Sequence, residues 1–176
     1  MKAKTMFQTK RMIIRLIELE DLEILRQMHN EENTLFWLTD IFHVSIEEQK
    51  AWFSNMSLSR KNRRYTVLSR ESNEIIGVVR LDKIDLVNKN AEIGVDIAPD
   101  YRRQGYAREI YECMFDYTFN ALNLHRLSLV CLETNTTAQA LYYKIGFKKE
   151  GVLTESILRN GEYKNLVCMF KLNLNL

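Results

Sequence analysis

The spacing of apolar positions changes period repeatedly along this chain. "RMIIRLI" (residues 11–17) reads as a strand, and "LEDLEILRQMHN" follows with Leu19, Leu22, Leu25 and Met28 three apart, the stripe of a helix. A second short helix is predicted to begin at Ser45, where Ser45 and Glu48 form an S-x-x-E capping box, with Trp52, Phe53 and Met56 on its buried side. Three strand patterns come next: "RYTVLS" near Tyr65, "EIIGVVRLDKI" from Glu74, and "AEIGVDIA" from Ala91. In the last of these Ile93, Val95 and Ile97 alternate with Glu92, Gly94 and Asp96, and Pro99 ends the run. The longest helical pattern covers residues 106–122, with Ile110, Met114, Thr118 and Ala121/Leu122 on one side. "RLSLVCL" (126–132) has the continuous apolar character of a buried strand, and "TTAQALYYKI" is a short helix closed by Gly146. "FKKEGVLTESILR" and "EYKNLVCMFKL" are joined by Asn160-Gly161, a tight hairpin signal.

The predicted order is therefore β-α-α-β-β-β-α-β-α-β-β. It describes a mixed α/β (α+β) sandwich, with antiparallel meanders around one β-α-β crossover, rather than a doubly wound fold. The strands at 91–97 and 126–132 are expected to be parallel neighbours, because the helix between them is long enough for a crossover. No repeat or Pro/Gly/Ser linker divides the 176 residues, so a single domain over 1–176 is expected.

Composition narrows the function without naming it. Apolar residues are 46% and charged residues 27%, as in an ordinary soluble globular protein. With 25 basic against 23 acidic residues the net charge is +2, which is not that of a polycationic nucleic-acid binder. The basic clusters at Arg60-Lys61, Arg63-Arg64 and Arg102-Arg103 are too short to alter this. Cys113, Cys131 and Cys168 have neither zinc spacing nor the pattern of a disulfide framework, and read as buried thiols in a reducing cytosol. His29, His43 and His125 form no triad with them, and no metal is expected. Neither a signal peptide nor a membrane span is legible. The expectation is a cytoplasmic protein without nucleic-acid or membrane partners; whether it forms a homo-oligomer is left open.

One stretch carries chemistry. "DYRRQGYARE" (100–109) joins a strand end, a basic turn and the start of the long helix. Unpaired first-turn amides and the helix dipole make such a junction an anion site, and Gly105 lets backbone approach a phosphate. A glycine in a solvated turn explains the same letters. There is no G-x-x-x-x-G-K-[ST] and no G-x-G-x-x-G. The turn does contain R-x-x-G-x-A at Arg102, Gly105 and Ala107, which resembles the acyl-CoA pyrophosphate loop of the GNAT superfamily of N-acetyltransferases. A second motif, N-x-x-A-x-x-x-Y-x-x-x-G-F at Asn135, Ala138, Tyr142, Gly146 and Phe147, resembles the same superfamily. The closing hairpin is similar to that of ribosomal-protein and spermidine N-acetyltransferases, so the resemblance covers most of residues 10–172.

The resemblance implies a GNAT acyl-CoA N-acyltransferase fold: a mixed, mostly antiparallel sheet, splayed in the middle and flanked by helices. It implies direct transfer of an acetyl group from acetyl-CoA, as co-substrate, to a primary amine. Ile97, Arg102, Arg103, Gln104, Gly105, Tyr106, Ala107, Arg108 and Asn135 become candidate cofactor contacts, with a backbone amide near Val95 to Ile97 meeting the oxyanion. Tyr142 becomes the candidate acid for the departing thiolate, although Ala138, Tyr142 and Ile145 also share a packing face. Asn135 is a helix cap as well as a candidate contact. Glu92 is the candidate base, against a reading as a solvated strand residue paired with a Lys or Arg; Asp96 is the weaker candidate. Acceptor choice should reside in residues 30–48, where Glu31, Glu32, Asp40, Glu47 and Glu48 are interleaved with Phe36, Trp37 and Phe42. A small amine such as a polyamine is expected, with a protein α-amino group or an amino sugar as alternatives. A non-catalytic acyl-CoA sensor on the same fold is the reading from a different class.

Overall fold

A computed structural model describes residues 6–174. Eight strands form one sheet in the order β1-β2-β3-β4-β5-β6-β8-β7. The strands are β1 (Phe7–Gln8), β2 (Met12–Leu16), β3 (Arg63–Ser69), β4 (Ile75–Asp85), β5 (Asn90–Ile97), β6 (Arg126–Leu132), β7 (Lys148–Arg159) and β8 (Glu162–Leu172). The helices are α1 (Leu22–Asn30), α2 (Glu32–Trp37), α3 (Ile46–Leu58), α4 (Tyr106–Phe115) and α5 (Thr136–Lys144). Every strand pair is antiparallel except β5 with β6, the pair bridged by α4.

Strand alternation sorts the two faces of this sheet. Tyr65 and Val67 of β3, Val79 and Leu81 of β4, and Ala91 and Ile93 of β5 enter the main core with Ile110, Tyr111 and Met114 of α4. On the opposite face a smaller core joins Ile17, Leu22 and Leu25 to Met56 of α3, with Val78 of β4 packed against it. Asp21, buried where α1 begins, ties that layer to the sheet. It accepts from both terminal nitrogens of Arg15 (2.6 and 2.7 Å), from the Thr66 hydroxyl (2.7 Å) and from the Glu18 amide (2.9 Å). Among the described residues no helix is long and apolar enough to cross a membrane.

Several local predictions have visible causes. Ser45 caps α3 through the reciprocal bonds of a capping box with Glu48. Its buried residues are Gln49 and Met56, while Trp52 and Phe53 are half-buried against the smaller core. Asn160 (φ 50°) and Gly161 (φ 79°) both adopt the left-handed conformation that a two-residue hairpin needs. The expected 106–122 helix is α-helical only to Phe115 and continues as a π-helical turn over Asp116–Ala121. There the Leu122 amide reaches back to Tyr117 and the Thr118 hydroxyl donates to the Met114 carbonyl. The extra residue per turn rotates the buried face, so Phe119 enters the core where Ala121 was expected, and Ala121 is exposed. Two elements were not anticipated: the two-residue β1, and α2, whose start is fixed by Glu31 accepting from the amides of Asn33 and Thr34.

Candidate active site

The parallel pairing of β5 and β6 covers three residue pairs, from Asn90↔Arg126 to Glu92↔Ser128, and stops there. Beyond it the strands diverge, opening a gap in mid-sheet. The Ala98 amide donates to Ile76 on the β4 side (2.9 Å), so the alternating backbone of Val95 and Ile97 faces the gap.

Immediately after β5 the chain forms the basic turn. Arg103 (φ 61°) and Gly105 (φ 82°) are both left-handed, and Gly105 caps α4 without any side-chain acceptor on the first amides. A Cβ built on Gly105 would meet nothing within 4 Å except the Arg11 guanidinium at 3.6 Å, so the approach to those amides is open. The turn thus fits an anionic phosphate group. Arg11 braces it: its guanidinium pairs with Glu109 (2.8 Å), donates to the Gln104 carbonyl (3.0 Å) and stacks 4.2 Å from the Tyr106 ring centre. Sequence reading missed Arg11, which lies 93 residues from Gln104 and in no motif. Arg103 is exposed, and Arg108 is exposed beside Glu112 (2.7 Å). Gln104 folds back onto the Asp100 carbonyl (2.7 Å). Arg102 turns the other way. It donates to the Ile97 carbonyl (2.9 Å) and the Thr34 hydroxyl of α2 (2.6 Å), with Glu31 at 3.6 Å.

On the other side of the gap, α5 opens on Asn135, whose side-chain oxygen accepts from the Ala138 amide (3.1 Å), the capping role. The helix ends with Gly146 left-handed (φ 92°). The Gly146 amide bonds to Tyr143, and the Phe147 amide bonds to the Tyr142 carbonyl (2.9 Å). These paired bonds form a Schellman stop, so the G-F of the second motif pins the backbone of Tyr142. The buried Phe147 ring then packs 6.0 Å from the Tyr142 ring, and Tyr111 meets Tyr142 edge-on at 5.9 Å. Burial pushes the Tyr142 hydroxyl up to about 12, with Cys131 of β6 and Asp96 of β5 adding to the rise and the Tyr111 hydroxyl and Arg80 opposing it. Tyr142 therefore feels groups from both diverging strands.

Arg80 crosses β5 over Gly94, where an added Cβ would stand 2.2 Å from its Nε, and pairs with Asp96 at 3.3 Å. Both line a cavity of about 560 Å³ between the polar face of the sheet and the α1–α3 layer. Its walls include Leu25, Met28, Phe42 and Trp52, and its carboxylates are Asp40, Glu48 and Asp96. Asp40 and Glu48 are exposed, marking the mouth; Arg80, Asp96 and Ile97 mark the inner end beside the gap.

The candidate residues separate clearly. Glu92 stands at the paired end of the gap, accepts from Lys83 (2.7 Å) and does not line the cavity. Of the acids in residues 30–48, Glu31 caps α2 and faces Arg102, while Glu32 and Glu47 are exposed. Phe36 and Trp37 pack on each other, 4.8 Å apart, outside the cavity lining. A buried arginine of the closing hairpin, Arg159, donates to the carbonyls of Phe36 (3.0 Å) and Leu38 and holds the C-terminal end of α2.

Known proteins share this architecture. Residues 11–148 match the sequence profile of the acetyltransferase (GNAT) domain. The spermidine N(1)-acetyltransferase of Vibrio cholerae is 30% identical over 157 residues, covering 89% of this chain and 90% of that one. A putative ribosomal N-acetyltransferase of Bacillus subtilis is 26% identical over 162 residues, with 88% and 87% covered. The crystal structure of spermidine N-acetyltransferase from Vibrio cholerae with CoA and spermine superposes with a TM-score of 0.88 at 28% identity, covering 93% of this chain and 96% of that one. With the splayed sheet and a profile match over most of its length, the chain belongs to the GNAT family and is an N-acetyltransferase.

Proposed function

We propose that this protein moves the acetyl group of acetyl-CoA onto a primary amine of a linear polyamine. The carrying observation is the cavity, whose exposed carboxylates at the mouth and apolar walls match a chain of ammonium groups separated by methylenes. Arg64 and Arg80 also line it, but each is paired, with Asp82 (2.6 Å) and Asp96 respectively, so their charges are offset locally. The relatives named as spermidine N-acetyltransferases support the same acceptor class.

In this reading the amides of residues 105–108, with Arg103 and Arg108, hold the pyrophosphate, and the pantetheine arm occupies the gap between β5 and β6. Arg102 organises the acceptor side instead of reaching the phosphates. The amine enters from the cavity. At neutral pH it is protonated, since its reference pKa is near 10.4, and one proton must leave before attack. Asp96, at the inner end of the cavity, receives that proton directly or through water; Glu92 is engaged by Lys83 outside it. The free nitrogen attacks the thioester carbonyl carbon, and the oxyanion is met by a backbone amide of Val95 or Ile97 facing the gap. The carbon–sulfur bond then breaks, the sulfur takes the Tyr142 proton, and the proton that the nitrogen sheds on becoming an amide returns to the Tyr142 oxygen through water.

A panel assay following thiol release from acetyl-CoA tests the acceptor. Spermidine or spermine should exceed an N-terminal ribosomal-protein peptide and an amino-sugar phosphate by about tenfold or more in kcat/KM, the worth of ~1.4 kcal/mol. Turnover of the peptide or the sugar with inert polyamines would overturn the acceptor; turnover of none would favour a sensor.

A further inference from the structure

Among the described side chains, two buried polar atoms have no hydrogen-bond partner: Arg15 Nε and the Tyr111 hydroxyl. Tyr111 is 1% exposed, in the middle of α4, and its ring meets that of Tyr142. A buried hydroxyl without a partner is costly, and removing it costs nothing in shape, since phenylalanine has the same ring. No hydrogen bond of ordinary geometry joins its hydroxyl to Tyr142 at rest, yet Tyr142 of α5 is the polar group that acts on it most strongly, ahead of Arg80 of β4 and Asp96 of β5.

We propose that Tyr111 is a positioning residue for the reaction: its buried hydroxyl donates a hydrogen bond to the Tyr142 oxygen as that oxygen gives its proton to the departing thiolate. This rests on Tyr142 as the acid. The step balances. The carbon–sulfur pair moves onto sulfur, sulfur takes the Tyr142 proton, and the phenolate left behind accepts from Tyr111 until the proton shed by the amine restores it. A need for such a donor follows from the energetics. A thiolate with a reference near 8.5 is a weaker base than a buried phenolate, so the transfer runs uphill unless the phenolate is held. Burial raises Tyr142, and the Tyr111 hydroxyl is one of the two neighbours that lower it; Arg80 is the other, already occupied by Asp96. Tyr111 is itself raised well above its ordinary value by burial, so it keeps its proton and remains a donor.

The test is Tyr111→Phe alone and combined with Tyr142→Phe. The single variant should melt at or above the wild-type temperature and keep the KM of both substrates. It should lose about 10- to 100-fold in kcat, the worth of a hydrogen bond to a charged group. In the Tyr142→Phe background the same substitution should change nothing. A single variant within twofold of wild type overturns the proposal, as does a melting temperature lowered by several degrees, which would mean a structural partner for the hydroxyl. An equal loss in both backgrounds would show that Tyr111 acts without Tyr142. If Tyr142→Phe alone is fully active, the acid assignment fails first, and a slow Tyr111→Phe then belongs to some other step.

Discussion

Replacing Tyr142 by Phe keeps the ring against Tyr111 and Phe147 and deletes the one proton that the proposed chemistry requires there. General acid catalysis contributes about 10²–10⁴-fold, and the donation matters only in the transition state. In steady-state kinetics kcat and kcat/KM should therefore fall together by that amount, with acetyl-CoA affinity unchanged. A loss confined to KM would mean that Tyr142 only binds. The local structural places of Asn135, Tyr142, Gly146 and Phe147 were legible in the sequence, because they lie within one helix and its stop. The different partners of Glu92 and Asp96 were not. Alternation puts both on one strand face, and what separates them is the partner each finds. Lys83 reaches Glu92 across an irregular stretch of the β4–β5 ladder between Asp82 and Asp85, and Arg80 reaches Asp96 across a glycine.

Among the elements, α2 depends most on distant parts of the chain. Six residues cannot sustain a helix in water, and this one is held at its N-terminal end by Arg102 of the basic turn and at its C-terminal end by Arg159 of the closing hairpin. Its Thr34 and the following Leu38 both line the cavity proposed to take the acceptor. Arg102→Ala should therefore raise the KM for the amine several-fold more than the KM for acetyl-CoA in two-substrate kinetics. The reverse ratio would return Arg102 to the phosphates, as its place in the R-x-x-G-x-A motif suggests. The sequence could not announce α2, because its short apolar pattern is no longer than a loop's and its two anchors lie 68 and 123 residues away. The main strands and α1, α3, α4 and α5 were legible from the period within each segment, whereas the π-helical turn after α4 was not, because its buried Thr118 and Phe119 also stand four residues after Met114 and Phe115, the spacing of an ordinary helix.

For the whole molecule, the attachment of the α1–α3 layer should set its response to acid. Burial alone would raise Asp21, but Arg15, the Glu18 amide and Thr66 hold its carboxyl below the usual carboxylate range. A depressed value means that the ionised form is favoured by folding. Its contribution is complete above the unfolded value near 3.9 and is lost as pH falls through the folded value below it. Asp21→Asn should lower the melting temperature at neutral pH, by the equivalent of about 3 kcal/mol for a broken buried pair. It should also flatten the decline below pH ~4 that the wild type shows. Identical slopes in the two proteins would assign the acid response to other carboxylates. That β5 and β6 are parallel neighbours was legible from the crossover rule, but the depth of the cleft between them was not, since strand letters do not record where a ladder stops. That depth has a mechanical consequence. With three residue pairs joining β5 to β6, the single sheet is weakly joined at its middle, and on the proposed placement of the acetyl donor a molecule lying in the gap would act as a removable strand. Amides of Val95 and Ile97 should exchange with solvent deuterium rapidly in the free protein and slowly once acetyl-CoA is bound. Each release of product would then cost the enzyme part of its own cohesion until the next acetyl donor arrives.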